Sequence, residues 1–228
     1  MSIENIKKLT TEEKKKTVID DYDDIAQEYT EEFFEDTSDN KYIDKFLYSL
    51  EGTKILDVGC GNGKDCKYIS EKGFDINGID LSVGMLKIAK EKVPNGKFEI
   101  MDIADITYSE DSYDGIISNC SLFHIPSEEL PKTLESFRRI LKPNGKLLLI
   151  LQEGNGETMI EEPYRPGVHI YMNYFSINQI QSLLQEHVFK IDYSGREESP
   201  NEFELGTGKL IILSSNEKKL ESIEHKVR

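Results

Sequence analysis

The stretch Lys54-Ile55-Leu56-Asp57-Val58-Gly59-Cys60-Gly61-Asn62-Gly63 limits the folds open to this chain more than any other. Its first half is a short apolar run, the signature of a strand buried on both faces. Its second half carries three glycines at alternate positions. Glycine tolerates left-handed backbone and lets the main chain pass close to a ligand. A helical pattern from Lys64 to Glu71 follows, stopped by Gly73. Strand, glycine loop and helix in that order point the helix's free N–H groups at whatever the loop encloses.

The rest of the chain repeats the alternation. Strands are expected at 74–80, 97–101, 113–118, 146–151, 189–195 and 209–214. Ser82 caps a helix through Lys92 ahead of Pro94, and Ser127 caps one running to Leu141. Lys142-Pro143-Asn144-Gly145 reads as a turn. Ser176 with Gln179 forms a capping-box pattern opening a helix to about His187. At the N-terminus, one helix is expected from Thr10 to about Asp36 and a short one over 42–50. The spacing implies βαβ units and a doubly wound parallel sheet covered on both faces. The segment 152–173 has no clear period and is rich in aromatic residues. It reads as an excursion across the ligand edge of the sheet. Three parts result: a helical N-terminal lid at 1–50, a main domain at 51–215 with a cap insertion at about 152–175, and a charged tail at 216–228 that frays.

Composition narrows the function. A formal net charge of −15 repels nucleic acid and anionic lipid surfaces, so neither partner is expected. No apolar run is long enough for a membrane span, and the opening M-S-I-E-N-I-K-K lacks the apolar core of a secretory signal. Cys60, Cys66 and Cys120 form no C-x-x-C pair, and the four histidines add no metal-ligand spacing. These features predict a cytoplasmic protein with no metal centre. Oligomeric state cannot be read from them.

The chemistry of the loop separates two ligand classes. Dinucleotide-binding loops follow G-x-G-x-x-G and leave room for a pyrophosphate. Here the third glycine, Gly63, comes one residue early, and Asp57 precedes the loop. A carboxylate there repels pyrophosphate and suits a ligand bearing an ammonium and a sulfonium. Asp80, at the end of the second strand, can accept hydrogen bonds from both hydroxyls of a ribose. In order, D-V-G-C-G-N-G, G-I-D-L-S, M-D-I-A-D, Y-D-G-I-I-S-N-C-S-L-F-H-I and L-K-P-N-G-K-L-L-L-I resemble the motif series of class I S-adenosylmethionine-dependent methyltransferases. The resemblance runs from about Tyr22 to Ser214. It implies a Rossmann-like α/β fold with a seven-stranded sheet whose last strand is antiparallel, S-adenosylmethionine as cofactor, and methyl transfer to a small-molecule acceptor.

The resemblance also implies roles by position. Asp57, Gly59, Cys60, Gly61 and Gly63 surround the methionine part. Asp80 holds the ribose, with Leu81 and Met85 near the adenine. Asp102 accepts from the adenine amino group beside Ile103. Asn119 and Cys120 lie under the sulfonium, and Tyr22 and Tyr29 reach over from the lid. His124 either takes a proton from the acceptor or shapes the pocket. Tyr164, Arg165, His169, Tyr171 and Tyr174 either roof the acceptor site or pack under a long loop. The acids Glu153, Glu157, Glu161 and Glu162 are a solvated face unless some point inward, in which case a cationic or amine acceptor follows. Strand four ends in Ser118-Asn119-Cys120-Ser121, unlike the N-P-P-Y-type ending of enzymes that methylate exocyclic amines of DNA bases or protein amides. Two alternatives remain: a non-catalytic protein that binds the same cofactor, and a nicotinamide-dependent oxidoreductase.

Overall fold

A computed structural model describes residues 8–198 and 208–218. The opening residues 1–7 and most of the expected charged tail lie outside the described residues. Three helices come first: α1 (Thr11–Asp24), α2 (Ala26–Phe33) and α3 (Asn40–Tyr48). Then β1 (Lys54–Val58), α4 (Lys64–Glu71), β2 (Asp75–Asp80), α5 (Val83–Lys92), β3 (Lys97–Ile100) and β4 (Tyr113–Asn119) alternate. They are followed by α6 (Leu130–Ile140), β5 (Leu141–Gln152), β6 (Gly156–Glu161), β7 (His169–Tyr174), α7 (Ile177–Glu186), β8 (Phe189–Glu197) and β9 (Lys209–Asn216).

Seven strands form one sheet in the order β3-β2-β1-β4-β5-β9-β8. β1 to β5 run parallel, and β9 is antiparallel to both of its neighbours. The fold is the Rossmann-like α/β architecture with an antiparallel last strand. Its core follows from the two-residue period of a strand. In β5, Leu147, Leu149 and Leu151 pack on one face with α6 and α7, through Leu134, Phe137, Ile180 and Leu184. Leu148 and Ile150 pack on the other with α3, α4 and α5, through Phe46, Ile69 and Leu86. Both faces are covered, which is why the central strands are apolar throughout.

Several boundaries move for stated reasons. The expected single N-terminal helix is two helices broken at Ile25 (φ −96°, ψ 5°). Beside the break, Asp23 Oδ1 accepts from Ser82 Oγ (2.6 Å) and Gly84 N–H (2.8 Å) at the start of α5. That anchor and the burial of Ile25 outweigh helical continuity. Ser127 does not cap α6. A 3₁₀ turn intervenes, and the Ser127 hydroxyl donates to Glu157 instead. Residues 142–145 are not a separate turn: β5 starts at Leu141, the register shifts between Tyr113 and Gly115, and Asn144 takes φ +63°. The aperiodic excursion contains the hairpin β6–β7, which pairs apart from the main sheet. The capping box at Ser176 and Gln179 forms with both reciprocal bonds.

Leu148 sits at the centre of β5 and is 1% exposed. Leu148→Ala is expected to lower unfolding stability by about 2–5 kcal/mol. Chemical denaturation reads this as a lowered midpoint; an unchanged midpoint would contradict the assignment of Leu148 to the core.

Candidate active site

The strand order reverses between β1 and β4, and that is where an open α/β sheet forms a crevice at its carboxyl edge. A cavity of about 310 Å³ lies here. Its floor is the glycine loop after β1, the end of β2 at Asp80 and the end of β4 at Asn119 and Cys120. The two central strands meet tightly. Gly59 has φ +71°, and a Cβ on it would lie 2.3 Å from Ser121 Cβ. Ser121 Oγ donates to Val58 O (2.6 Å), so the loops after β1 and β4 are tied together. Gly61 takes φ +52°, and the place of its missing Cβ is open space. The loop also bonds across to Asp80, whose Oδ2 accepts from Gly61 N–H and Oδ1 from Ser82 N–H, both at 2.8 Å.

Electrostatics decide what this floor can hold. Asp57 is 2% exposed, and burial followed by the neighbouring Asp65 holds its carboxyl well above the usual range. Burial raises Asp65 and Asp80 as well, the latter opposed by backbone N–H groups of Ser82, Gly61 and Leu81. Burial would lower Lys64, but Asp65, Asp39 and Asp36 raise it. Asn119 Nδ2 donates to Asp65 (2.9 Å) and Asp39 (3.3 Å), while its buried Oδ1 has no partner. Lys209 pairs with Asp39 at 3.2 Å. Two buried acids, the half-buried Asp80 and an unpaired amide oxygen around one glycine loop fit a ligand bearing N–H donors and positive charge. A pyrophosphate would meet repulsion in the same place.

The roof comes from the N-terminal helices and the hairpin. Tyr22, Ile25, Tyr29 and Phe33 face the cavity from α1 and α2, and Glu162 and Tyr164 from the β6–β7 connection. Lys15 of α1 is 6% exposed and bonds Asp102 Oδ2 (2.7 Å) and Glu129. Asp102 Oδ1 accepts from Ala104 N–H (2.8 Å). Each Asp102 oxygen therefore has one donor already and a lone pair to spare.

His124 lies under the roof. Its Nδ1 is 3.1 Å from the Tyr171 carbonyl oxygen, which only accepts, so Nδ1 carries the proton. Nε2 then accepts from the Tyr22 hydroxyl at 3.2 Å. Burial pushes the imidazole down to about 4, against the opposing pull of the Tyr171 carbonyl. Near neutral pH the ring is uncharged and its remaining lone pair points at a phenol. Burial pushes the thiols the other way, Cys60 up to about 11 and Cys120 up to about 12, so neither is a thiolate nucleophile.

Of the residues singled out from the sequence, Tyr22, Tyr29, Asp57, Gly59, Cys60, Gly61, Asp80, Leu81, Met85, Asp102, Ile103, Asn119, Cys120, His124 and Tyr164 line this one cavity. Gly63 does not; its φ of +81° starts α4, where a Cβ would press on Ala89. Four of the aromatic-segment residues are not brought to the cavity. Arg165 turns to Asp21 and Asp24, and His169 is 3.3 Å from the Gly167 carbonyl oxygen. Tyr171 is fully buried under Lys14, and Tyr174 packs on the core. Lys15, Asn62, Lys64, Asp65 and Gln152 line the cavity without having been anticipated. Adjacency to the loop could have flagged Asn62, Lys64 and Asp65, whereas Lys15 sits in an undifferentiated charged run.

Residues 55–145 match the family described as methyltransferase domain. That segment is a methyltransferase domain. Similar proteins include phosphoethanolamine N-methyltransferase 1 of Zea mays, 40% identical over 114 residues, which are 48% of this chain and 22% of that protein. The phosphoethanolamine N-methyltransferase of Plasmodium falciparum is 37% identical over 103 residues, 43% of this chain and 39% of its own length. The chain thus spans less than half the length of these curated relatives. The crystal structure of Burkholderia thailandensis 1,6-didemethyltoxoflavin-N1-methyltransferase, with bound 1,6-didemethyltoxoflavin and S-adenosylhomocysteine, superposes with a TM-score of 0.74 at 17% identity, covering 91% of this chain and 90% of that one. At that identity the likeness concerns the fold. Among the described residues of this methyltransferase domain, no helix is long and apolar enough to cross a membrane.

The buried environment of His124 makes a direct prediction. Its folded pKa lies below the value of a free imidazole, so the ring stays neutral until the pH falls towards 4. Histidine ring NMR is expected to show no titration of His124 between about pH 5.5 and 8. A midpoint near 6.5 would show that the ring is solvated and the Tyr22 contact absent.

Proposed function

We propose that this chain is a methyltransferase that binds S-adenosylmethionine in the cavity at the β1–β4 switch point and methylates a small-molecule acceptor. The observation that carries the reading is the group of carboxyls, buried Asp57 and Asp65 and half-buried Asp80, around a glycine loop with open space at Gly61. Asp80 would hold the ribose hydroxyls with the lone pairs left over from Gly61 and Ser82. Asp57 and the loop would hold the methionine part, with Asn119 Oδ1 free to accept from its ammonium. Leu81, Met85 and Ile103 supply apolar surface for the adenine, and Asp102 keeps a lone pair for its amino group. Bound there, S-adenosylmethionine supplies a methyl group already activated on a sulfonium.

The protein's own residues then have three tasks. Tyr22, Ile25, Tyr29 and Phe33 exclude water from the cavity, which strengthens electrostatic interactions inside it. The loop and the strand ends hold the reactants in line, the largest contribution a site without strong acids or bases can make. Tyr22 and His124 offer a path for a proton. The phenol can take a proton from the acceptor while passing its own to Nε2, which is unprotonated at neutral pH. A small acceptor is supported by the cavity's volume of about 310 Å³ and by the relatives named for phosphoethanolamine.

S-adenosylhomocysteine at a hundredfold excess over its dissociation constant is expected to stabilise the protein by about 2.7 kcal/mol in a thermal-shift measurement. NAD is expected to give no shift. Stabilisation by NAD alone would sink the proposal, and an undiminished shift in Asp80→Ala would refute the ribose assignment.

Transfer of label from methyl-labelled cofactor across a panel of small acceptors separates an enzyme from a binder. His124→Asn is expected to lower kcat by about 10²- to 10⁴-fold. S-adenosylhomocysteine binding should stay as in the wild type; full turnover would remove His124 from the proton path.

A further inference from the structure

The part of the cavity built by α1, α2 and the β6–β7 connection has its own chemical character. Four aromatic rings follow one another around it. The Tyr22 and Tyr29 ring centres are 5.6 Å apart at 81°, Tyr29 and Phe33 4.7 Å at 48°, and Phe33 and Tyr164 6.5 Å at 84°. The Tyr164 hydroxyl donates to Glu32 at 2.5 Å, which fixes that ring. All four residues line the cavity.

Glu162 lines the same space and is 6% exposed. Its Oε1 accepts from Tyr164 N–H at 3.2 Å. Behind it stands Asp21, also buried, whose carboxyl lies within hydrogen-bonding reach of Glu162. Two carboxyl groups can share such a contact only by holding a proton between them. Burial and the charge of Asp21 accordingly push Glu162 up to about 7. Arg165 is the cation at this cluster, and it divides itself between Asp21 (3.3 Å) and Asp24 (2.8 Å). Asp21 Oδ2 has no hydrogen-bond donor. A further cavity-lining group, Gln152, is 7% exposed with its Oε1 unpartnered.

Every one of these groups is electron-rich. Ring faces attract cations, most strongly when both are desolvated. Buried carboxyl and amide oxygens without donors carry a desolvation cost that an N–H donor or a cation relieves. An anionic group here would face the carboxyls of Glu162 and Asp21, and a neutral apolar acceptor would leave them uncompensated. We propose that the methyl acceptor is a cationic amine, and that its ammonium head sits against Glu162 within the rings of Tyr22, Tyr29, Phe33 and Tyr164. The inference rests on the methyltransferase reading of the cavity and names the acceptor class for it.

The test is calorimetric titration of the full chain saturated with S-adenosylhomocysteine. Two probes of matched shape are used: choline, and its uncharged carbon counterpart 3,3-dimethylbutan-1-ol. Choline is expected to bind at least about tenfold tighter than the neutral probe. Glu162→Gln replaces the carboxyl by an amide of the same shape, and Phe33→Leu removes one ring without touching any carboxyl. Each is expected to weaken choline about three- to tenfold more than it weakens the neutral probe. Equal affinity for the two probes in the wild type overturns the inference, as does choline binding that neither substitution alters. Failure of S-adenosylhomocysteine itself to bind would instead overturn the cofactor reading beneath it.

Discussion

The close approach between the loops that leave β1 and β4 is the constraint on which the rest of the site depends. The carbonyl of Val58 is bonded to Ser121 Oγ, and no side chain fits at Gly59 because Ser121 already fills the place. Because the two strands are neighbours in a sheet whose order reverses between them, their loops diverge to opposite faces and leave a crevice. The glycine loop, Asp80 and Asn119 all inherit their positions from that junction. The left-handed backbone at Gly59, Gly61 and Gly63 turns the chain from strand to helix while keeping bulk out of the crevice.

The crevice gains its selectivity from charges that the sheet forces out of water. Asp57 lies next to the end of a strand buried from Ile55 onward and cannot move to solvent, so its proton affinity rises and it becomes a strong partner for a cation. The same physics acts on Glu162, on an unrelated segment, where Asp21 stands behind it. One cavity thus has buried acid at both its floor and its roof. His124 follows the converse rule: burial disfavours its charged form, and the Tyr171 carbonyl holds its Nδ1 proton. The overall negative charge of the chain is therefore expressed inside the site as well as on the surface.

The roof is held by contacts between segments far apart in the chain. Asp23 secures the end of α1 to the start of α5. Lys15 reaches Asp102, and Lys14 reaches Glu128 and Glu157 on the hairpin side. Asn62 of the glycine loop donates to Thr30 of α2. These bonds rotate the tyrosines inward and break the helix at Ile25. No local propensity asks for that break: the sequence from Thr10 to Asp36 has neither glycine nor proline to mark it.

The main sheet was legible residue by residue, since each strand is an apolar run bounded by turn residues and each covering helix carries its own cap or stop. The floor of the site was equally legible, because Asp57, Gly59, Gly61 and Asp80 sit at strand ends whose positions local sequence dictates. The hairpin β6–β7 was not, because its pairing is decided by what lies beneath it: Tyr171 is buried by α1 and Met159, not by an alternating pattern of its own. Nor was the choice between Tyr164, which faces the cavity, and Arg165, which turns away to Asp21 and Asp24. The sequence by itself determined the sheet, the glycine loop and the chemistry of the floor, since these depend on periodicity and on single residues with special backbone freedom. Only the tertiary structure decided which lid and hairpin side chains face inward, because that depends on polar contacts and burial between segments far apart in the chain.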